Sequence, residues 1–322
     1  MFRTTNGSLA IDFGQNLVGR VRFQTKRVPE SEWKLTIKHA EVLDAEGNVY
    51  FGNLRTAEQQ VEVKGTGGES IDYAPYFSFQ GFRYIVMESD ELDLKKDMFT
   101  AEVIHSDMER HGHFVSSDAM LNKLYENIVW GQRGNFLDVP TDCPQRDERL
   151  GWTGDAQVFI NTALYNYGGY PFFDKWLNDL RNDQMENGGV PAVIPDVLIH
   201  LDGGASHSSA AWGDAAVICP WELYKFYGNE EILEKSYDSM KRWITYNNEA
   251  GDHRYSGNKG FHYADWLALD IENDTRGATP HEYIACCFHR YTTAIMIEVS
   301  TLLKKEDDTS YFLEVLAEEV NG

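Results

Sequence analysis

The sequence predicts an antiparallel β-sandwich followed by a domain of packed helices, and three observations carry that expectation. Apolar residues recur at every second position up to about residue 105, and at helical spacing from about 116 onward. Glycine-bearing turns punctuate the first region, as at Glu46-Gly47-Asn48 and Gly65-Thr66-Gly67-Gly68. A polar connection around SDMERHGH, residues 106–115, separates the two periods. The expected organisation is therefore 1–105, sandwich; 106–115, linker; 116–322, helical domain.

In the first region the strands are RVRFQTK (Arg20 to Lys26), KLTIKHA (Lys34 to Ala40), QQVEVKG (Gln59 to Gly65), FRYIVME (Phe82 to Glu88) and FTAEVIH (Phe99 to His105). Short alternating strands at regular spacing pack as a sandwich. In the second, Ser116-Ser117-Asp118 supplies an N-cap cluster before Met120, Leu121, Leu124, Tyr125 and Ile128. Further helices are expected near 155–168, 170–186, 208–227, 229–249, 279–304 and 307–320, with Pro220 kinking or dividing one of them. Long polar loops, Gly188 to His207 and His253 to Phe261, interrupt this scaffold, and such loops are where sites are built.

The 322 residues carry 29 basic against 51 acidic side chains, a net charge of -22. Nucleic acid and anionic membrane surfaces are poor partners for that charge, whereas a neutral sugar is compatible with it. The four cysteines, Cys143, Cys219, Cys286 and Cys287, form no C-x-x-C pair, so zinc and dithiol chemistry lack support. His111-x-His113 reads as exposed linker histidines rather than a metal site, having no spaced carboxylate or cysteine partner. Asn6-Gly7-Ser8 and Asn273-Asp274-Thr275 match a glycosylation sequon, a pattern short enough to arise by chance. No secretion-type apolar segment opens the chain, which predicts a cytoplasmic protein.

The segment DVPTDCPQRDERLGWTGDAQVF, Asp138 to Phe159, concentrates chemistry. Pro140 and Pro144 exclude a regular helix in its first part, and Asp155 begins a helical pattern. A loop thus delivers Asp138, Asp142, Asp147, Glu148 and Asp155 to the start of a helix, interleaved with Arg146 and Arg149 and followed by Trp152. Crowded acids raise the pKa of at least one member, which suits a proton donor, while the arginines act in the opposite sense. Glycoside hydrolysis needs such a donor, a second carboxylate, polar grips for hydroxyls and an aromatic face for the ring. A salt-bridge network pinning the loop is the alternative. Trp212 with Asp214 in SSAAWGDAAV, and Asp265 with Trp266 in HYADWLALD, are similar in kind. Each is also compatible with a capped helix and a core tryptophan.

TDCPQRDERLGWTGDAQ (Thr141 to Gln157) resembles the signature of bacterial α-L-rhamnosidases, glycoside hydrolase family 78. AWGDA (Ala211 to Ala215) and HYADWLA (His262 to Ala268) resemble later segments of that catalytic domain. IDFGQNLVG, KHAEVL, NLRTA and FQGFRYI resemble the preceding concanavalin-like β-sandwich. The resemblance implies a six-hairpin α/α barrel that removes terminal α-L-rhamnose with inversion; the expected hydrolysis uses no organic cofactor, and no residue is singled out as a metal ligand. It implies Glu148 as general acid, and Asp142, Arg146 and Asp155 as hydroxyl-binding groups. Trp152, Trp212 and Trp266 match aromatic walls, and Asp214 and Asp265 fall in matching substrate-binding motifs. The implied partner is a rhamnose-containing glycoside or oligosaccharide. A six-hairpin barrel has twelve helices and a late glutamate as base. About seven helices are expected here and no position matches that glutamate, so the barrel is expected to be incomplete and the base to lie beyond Gly322. The competing expectations are another α/α-barrel glycosidase, and a rhamnose-binding fragment without turnover.

Overall fold

The computed structural model describes residues 1–202, 207–250, 261–271 and 275–321. Asn273 and Asp274 of the second sequon, and residues 253–260 of the second polar loop, lie outside the described residues. The structure resolves into two units, residues 1–107 with 114–149, and residues 108–113 with 150–322.

In the sheet unit the strands are β1 (Phe2–Arg3), β2 (Leu9–Thr25), β3 (Trp33–Ala40), β4 (Val42–Leu43), β5 (Val49–Tyr50), β6 (Gln60–Gly65), β7 (Ile71–Tyr73), β8 (Gln80–Glu88) and β9 (Phe99–Val103). Seven of them form one antiparallel sheet in the order β1-β2-β8-β3-β6, with β7 and β9 also pairing with β2. The long β2 changes partners midway, from β8 to β9 and β7, and so joins both sets of strands. Alternation explains the burial of β8. Ile85 and Met87 enter the main core with Phe23, Trp33, Leu35 and Ile37, whereas Tyr84 and Val86 join a smaller cluster with Ala10, Ala40 and Val49; Phe82, across a shift in register against β2, also enters the main core.

The N-terminal half of β2 was not expected as strand, because its alternation breaks at a bulge. The register against β8 shifts between Asp12 and Leu17. Gly14 takes φ +80 there, and its N–H donates to Asp12 Oδ1 at 2.7 Å. Arg83 clamps the same aspartate through two nitrogens at 2.8 Å each. The bulge leaves Gln15 and Asn16 off the regular ladder.

The first helix, α1 (Ala119–Asn135), also belongs to the sheet unit and packs against β2. Asp118 caps it, accepting from Met120 N at 2.7 Å and Leu121 N at 3.4 Å. Its expected apolar face is not the buried one. Met120, Leu121 and Leu124 are 82%, 48% and 54% exposed, while Val129, Gln132 and Gly134 are buried. The helix leads into a two-residue hairpin, β10 (Phe136–Leu137) and β11 (Val139–Pro140).

The helical unit holds α2 (Thr153–Asn166), α3 (Tyr170–Asp183), the single turn α4 (Ile199–Asp202), α5 (Ala215–Tyr227), α6 (Glu231–Ala250), α7 (His281–Leu302) and α8 (Glu306–Asn321). The α3 helix shows why such segments fold this way. Phe172, Phe173, Trp176, Leu177 and Leu180 fall on one stripe and are all buried. Every second long helix is a neighbour. The α2 helix packs on α5 and α5 on α7, whereas α3 packs on α6. From α6, Lys241 and Tyr237 reach Asp308 of α8 at 2.6 and 2.8 Å. That alternation is the two-layer arrangement of stacked αα-hairpins.

The expected helix at 208–227 is shorter than predicted. Ser208 and Ala211 take φ +64 and +68, so residues 208–214 form turns and α5 begins at Ala215. Pro220 sits inside α5 without dividing it. Residues 108–113, expected as linker, lie along the helical unit, where the His111 and Gly112 N–H groups donate to Asn166 O at 2.9 and 3.1 Å.

Candidate active site

The sequence singled out one continuous loop, and the structure divides it between the two units at Arg149 and Leu150. Each part is a distinct constellation.

In the sheet unit the loop leaves the β10–β11 hairpin and is fastened to α1, with Thr141 N and Oγ1 both donating to Asn135 O at 3.0 Å. Arg146 then bridges two acids, reaching Glu148 Oε2 at 2.9 Å and Asp142 Oδ2 at 3.7 Å. A second guanidinium comes from far away in sequence. Arg55 pairs with the same Glu148 oxygen, and its Nε lies 3.2 Å from Asp147. Thr56 Oγ1 donates to Asp147 Oδ2 at 2.6 Å, and this bond, with the neighbouring charges, holds the Asp147 carboxyl below the usual range. Arg55, Gln59 and Arg149 all adopt positive φ, at +55, +41 and +40. Such backbone costs of order 1–3 kcal/mol per residue and collects at functional sites.

The ligand-type atoms of Asp142, Cys143 and Glu148 lie within 4.8 Å of one another. Burial raises the Cys143 thiol to about 11, so it is neutral near pH 7. With Arg146 and Arg55 seated on the carboxylates, the group is charge-compensated by protein cations. Glu41 stands behind it, its carboxyl raised by burial and held by Asn16 at 2.9 Å and Asn53 at 3.4 Å.

In the helical unit the loop becomes the entry to α2. Trp152 bridges to Val193, Ile194 N donates to Gly151 O at 2.9 Å, and Thr153 N donates to Ala192 O at 2.9 Å. Three tryptophans converge on one tyrosine. Tyr263 lies 4.5 Å from Trp212, 5.7 Å from Trp152 and 5.3 Å from Trp266, centroid to centroid. Phe261 adds an edge contact at 4.8 Å. Trp212 rests on the start of α2, where a Cβ on Gly154 would lie 2.6 Å from its indole. The two loops carrying these rings are knitted together, with Ala210 N donating to His262 Nδ1 and Tyr263 N to Ser209 Oγ, both at 3.0 Å.

Most of the expected site residues fall into one of these two groups. Asp142, Arg146 and Glu148 come together in the first, and Trp152, Trp212 and Trp266 in the second. Asp265 is exposed beside Trp266, and Asp155 is exposed in the first turn of α2. Asp214 requires a correction as a direct ligand contact. It is 1% exposed, and its oxygens accept from Trp243 Nε1 at 2.8 Å, Ala211 N at 2.7 Å and Thr292 Oγ1 at 3.3 Å. Burial pushes its carboxyl up. Its place is behind the loop that carries Trp212, tying α5 to α6 and α7. The expectation that the loop acids gather at a helix start holds only for Asp155, since Asp142, Asp147 and Glu148 are held by arginines instead. Sequence reasoning missed Arg55, Glu41 and Tyr263. The last was signalled by its position two residues before Asp265.

Comparison with known proteins divides the chain earlier, between residues 105 and 109, than the two structural units do at Arg149 and Leu150. Residues 109–321 match the family described as bacterial alpha-L-rhamnosidase 6 hairpin glycosidase domain, and residues 2–105 match the bacterial alpha-L-rhamnosidase concanavalin-like domain. An alpha-L-rhamnosidase of Formosa agariphila is 38% identical over 93% of this chain and 32% of its own length. One of Alteromonas sp. is 37% identical over 96% of this chain and 33% of its own. The chain thus spans about a third of the length of the curated relatives it matches. The rhamnosidase structure from Aspergillus terreus superposes with a TM-score of 0.90 at 35% identity, covering 99% of this chain and 37% of that one. That of Streptomyces avermitilis, solved with L-rhamnose, gives 0.82 at 36% identity, covering 95% and 28%. The paired loop constellations, the hairpin helices and these matches agree: the chain belongs to the bacterial α-L-rhamnosidase family of six-hairpin glycosidases.

Proposed function

We propose that this chain carries the acid side of an inverting α-L-rhamnosidase site, acting on a rhamnose-containing glycoside or oligosaccharide. The observation that carries the reading is the cluster of Glu148, Asp142 and Arg146, with Arg146 bridging the two carboxylates. Glu148 is the general acid. Its proton passes to the bridging oxygen as the bond from that oxygen to the sugar's C1 breaks. Water adds to C1 from the opposite face and yields its proton to a second carboxylate, about 6.5–9.5 Å from the acid in inverting enzymes. In this reading that second role is not assigned to a residue of this chain. Asp142, Arg146 and Asp155 bind sugar hydroxyls, Trp152, Trp212 and Trp266 offer ring faces to the sugar's C–H groups, and exposed Asp265 adds a polar edge. Asp214 supports the Trp212 loop from behind. The solved relative in complex with L-rhamnose supports the choice of sugar.

The test is hydrolysis of methyl and p-nitrophenyl α-L-rhamnosides by this chain and by the full natural gene product that carries it. Glu148→Gln should reduce turnover of the methyl rhamnoside by about 100-fold or more, the range expected of a general acid. The p-nitrophenyl compound should lose much less, because its leaving group needs little protonation. Equal losses on both substrates, or loss of rhamnose binding with turnover, would assign Glu148 a structural role.

A further inference from the structure

Within the sheet unit, a cleft of about 480 Å³ runs between the β2 bulge and α1. That volume falls in the span of about 300–1,000 Å³ usual for small-molecule sites. Asp142 and Cys143 form one wall, and both lie within 4.8 Å of the Glu148 carboxylate by their ligand-type atoms. We propose that this cleft holds the leaving-group side of the substrate, as a subsite for a neutral pyranose ring. The proposal rests on Glu148 being the general acid. A general acid protonates the oxygen that departs with the leaving group, so that group lies on the acid's side of the broken bond.

The lining fits a sugar. Gln15, Asn16, Asn127 and Asn135 present amides, each able to donate and accept with hydroxyls, and Glu41 adds a carboxyl. Trp130 borders the cleft as an apolar surface. The lining itself carries no lysine or arginine, so it offers no side chain to pair with an anionic ring.

One residue argues that the space is kept open. Gly131 lies inside the 17-residue α1 and lines the cleft, and a Cβ built there meets nothing within 4 Å. Glycine in a helix interior is unfavourable relative to alanine. Its neighbour Gly134 is explained by Val18, whose methyl would lie 2.9 Å from a Cβ, but no packing contact requires glycine at 131. Gly131 is exposed, and its missing side chain leaves the α1 rim of the cleft open.

Gly131→Leu adds an apolar side chain at the α1 rim of the cleft, where a Cβ meets no atom within 4 Å, and improves helix propensity. Hydrogen exchange of the 322-residue chain is followed with L-rhamnose, methyl β-D-glucoside and a rhamnosyl-glucose disaccharide. The disaccharide and the glucoside should slow exchange in residues 14–18 and 127–135, and L-rhamnose alone should not. Gly131→Leu should abolish that protection, weaken the disaccharide by about tenfold or more, leave the L-rhamnose affinity unchanged and not lower the thermal midpoint. Absence of protection in these segments with both glucose-containing ligands, or protection that persists in Gly131→Leu, overturns the subsite. Failure of L-rhamnose to bind at all counts against the rhamnosidase reading instead, and methyl glucoside still decides the cleft.

Discussion

The acid constellation and the aromatic constellation are held in opposite ways. Around Glu148 the restraints are ion pairs between side chains that keep much of their solvent contact. Arg55, Arg146 and Glu148 retain 50%, 35% and 28% of their side-chain exposure. Around Tyr263 the restraints are buried. Asp214 is sealed behind the Trp212 loop and hydrogen-bonded from three directions. Buried polar bonds are costly to break, and exposed ion pairs contribute little. The Glu148 carboxylate is thus held by ion pairs that keep access to water, while the loop carrying Trp212 is held by buried hydrogen bonds.

The largest break in this comparison comes from the buried side. Asp214→Ala removes one acceptor from Trp243 Nε1 and another from Ala211 N, and leaves both donors buried. We expect a loss of about 2–4 kcal/mol, read by urea unfolding. The pH dependence sharpens it. Burial raises the Asp214 carboxyl above its unfolded value of 3.8, so between the two values the folded chain binds more proton than the unfolded one. Its contribution therefore falls as pH rises through that window. The stability gap between wild type and Asp214→Ala should be widest in acid and narrow toward neutrality. A gap that widens with pH would show that the donors stabilise the anion more than burial opposes it.

Next in size is Gly154→Ala. The added Cβ would lie 2.6 Å from Trp212, whose ring is already packed against Tyr263, so the indole must shift. Overpacking of this kind costs about 1–3 kcal/mol. The measurement is stability together with the near-ultraviolet circular dichroism of the tryptophans. An unchanged spectrum would mean that the ring nest is looser than its packing indicates.

These two sites also mark how far the sequence could be read. The change of period separated strands from helices, Asp118 announced its helix, and the Thr141 to Gln157 motif runs through the Glu148 cluster to Trp152. Asp214 was visible as an aspartate beside a tryptophan, but its role was not. Its pattern reads as a helix cap, yet its side chain makes no bond to the first turn of α5 and accepts instead from Ala211 and Trp243. Arg55 was hidden more deeply. It sits 93 residues from Glu148 in a left-handed turn, and no local period carries a long-range ion pair. The Met120-Leu121-Leu124 stripe of α1 shows the converse. Periodicity identified the helix, but tertiary packing chose a different face, centred on Val129, Gln132 and Gly134.

The smallest expected effect is on stability at the acid itself. Glu148→Gln removes the charge that faces Arg55 and Arg146, and it leaves Arg146 near Asp142 at 3.7 Å and Arg55 near Asp147 at 3.2 Å. Both arginines therefore keep a carboxylate partner. Arg55 keeps half of its side-chain exposure as well, so water replaces part of what is lost. Screened pairs of this kind contribute about 0–1 kcal/mol, and the expected change in unfolding free energy is within that range. The same substitution is expected to cost about 100-fold or more in turnover of a methyl rhamnoside. A residue whose removal barely moves stability yet abolishes the chemistry is placed for reaction rather than for folding. If urea unfolding instead showed a loss comparable to that of Asp214→Ala, the carboxylate would be a keystone of the loop, and the contrast between a water-accessible acid and a loop held by buried hydrogen bonds would fail.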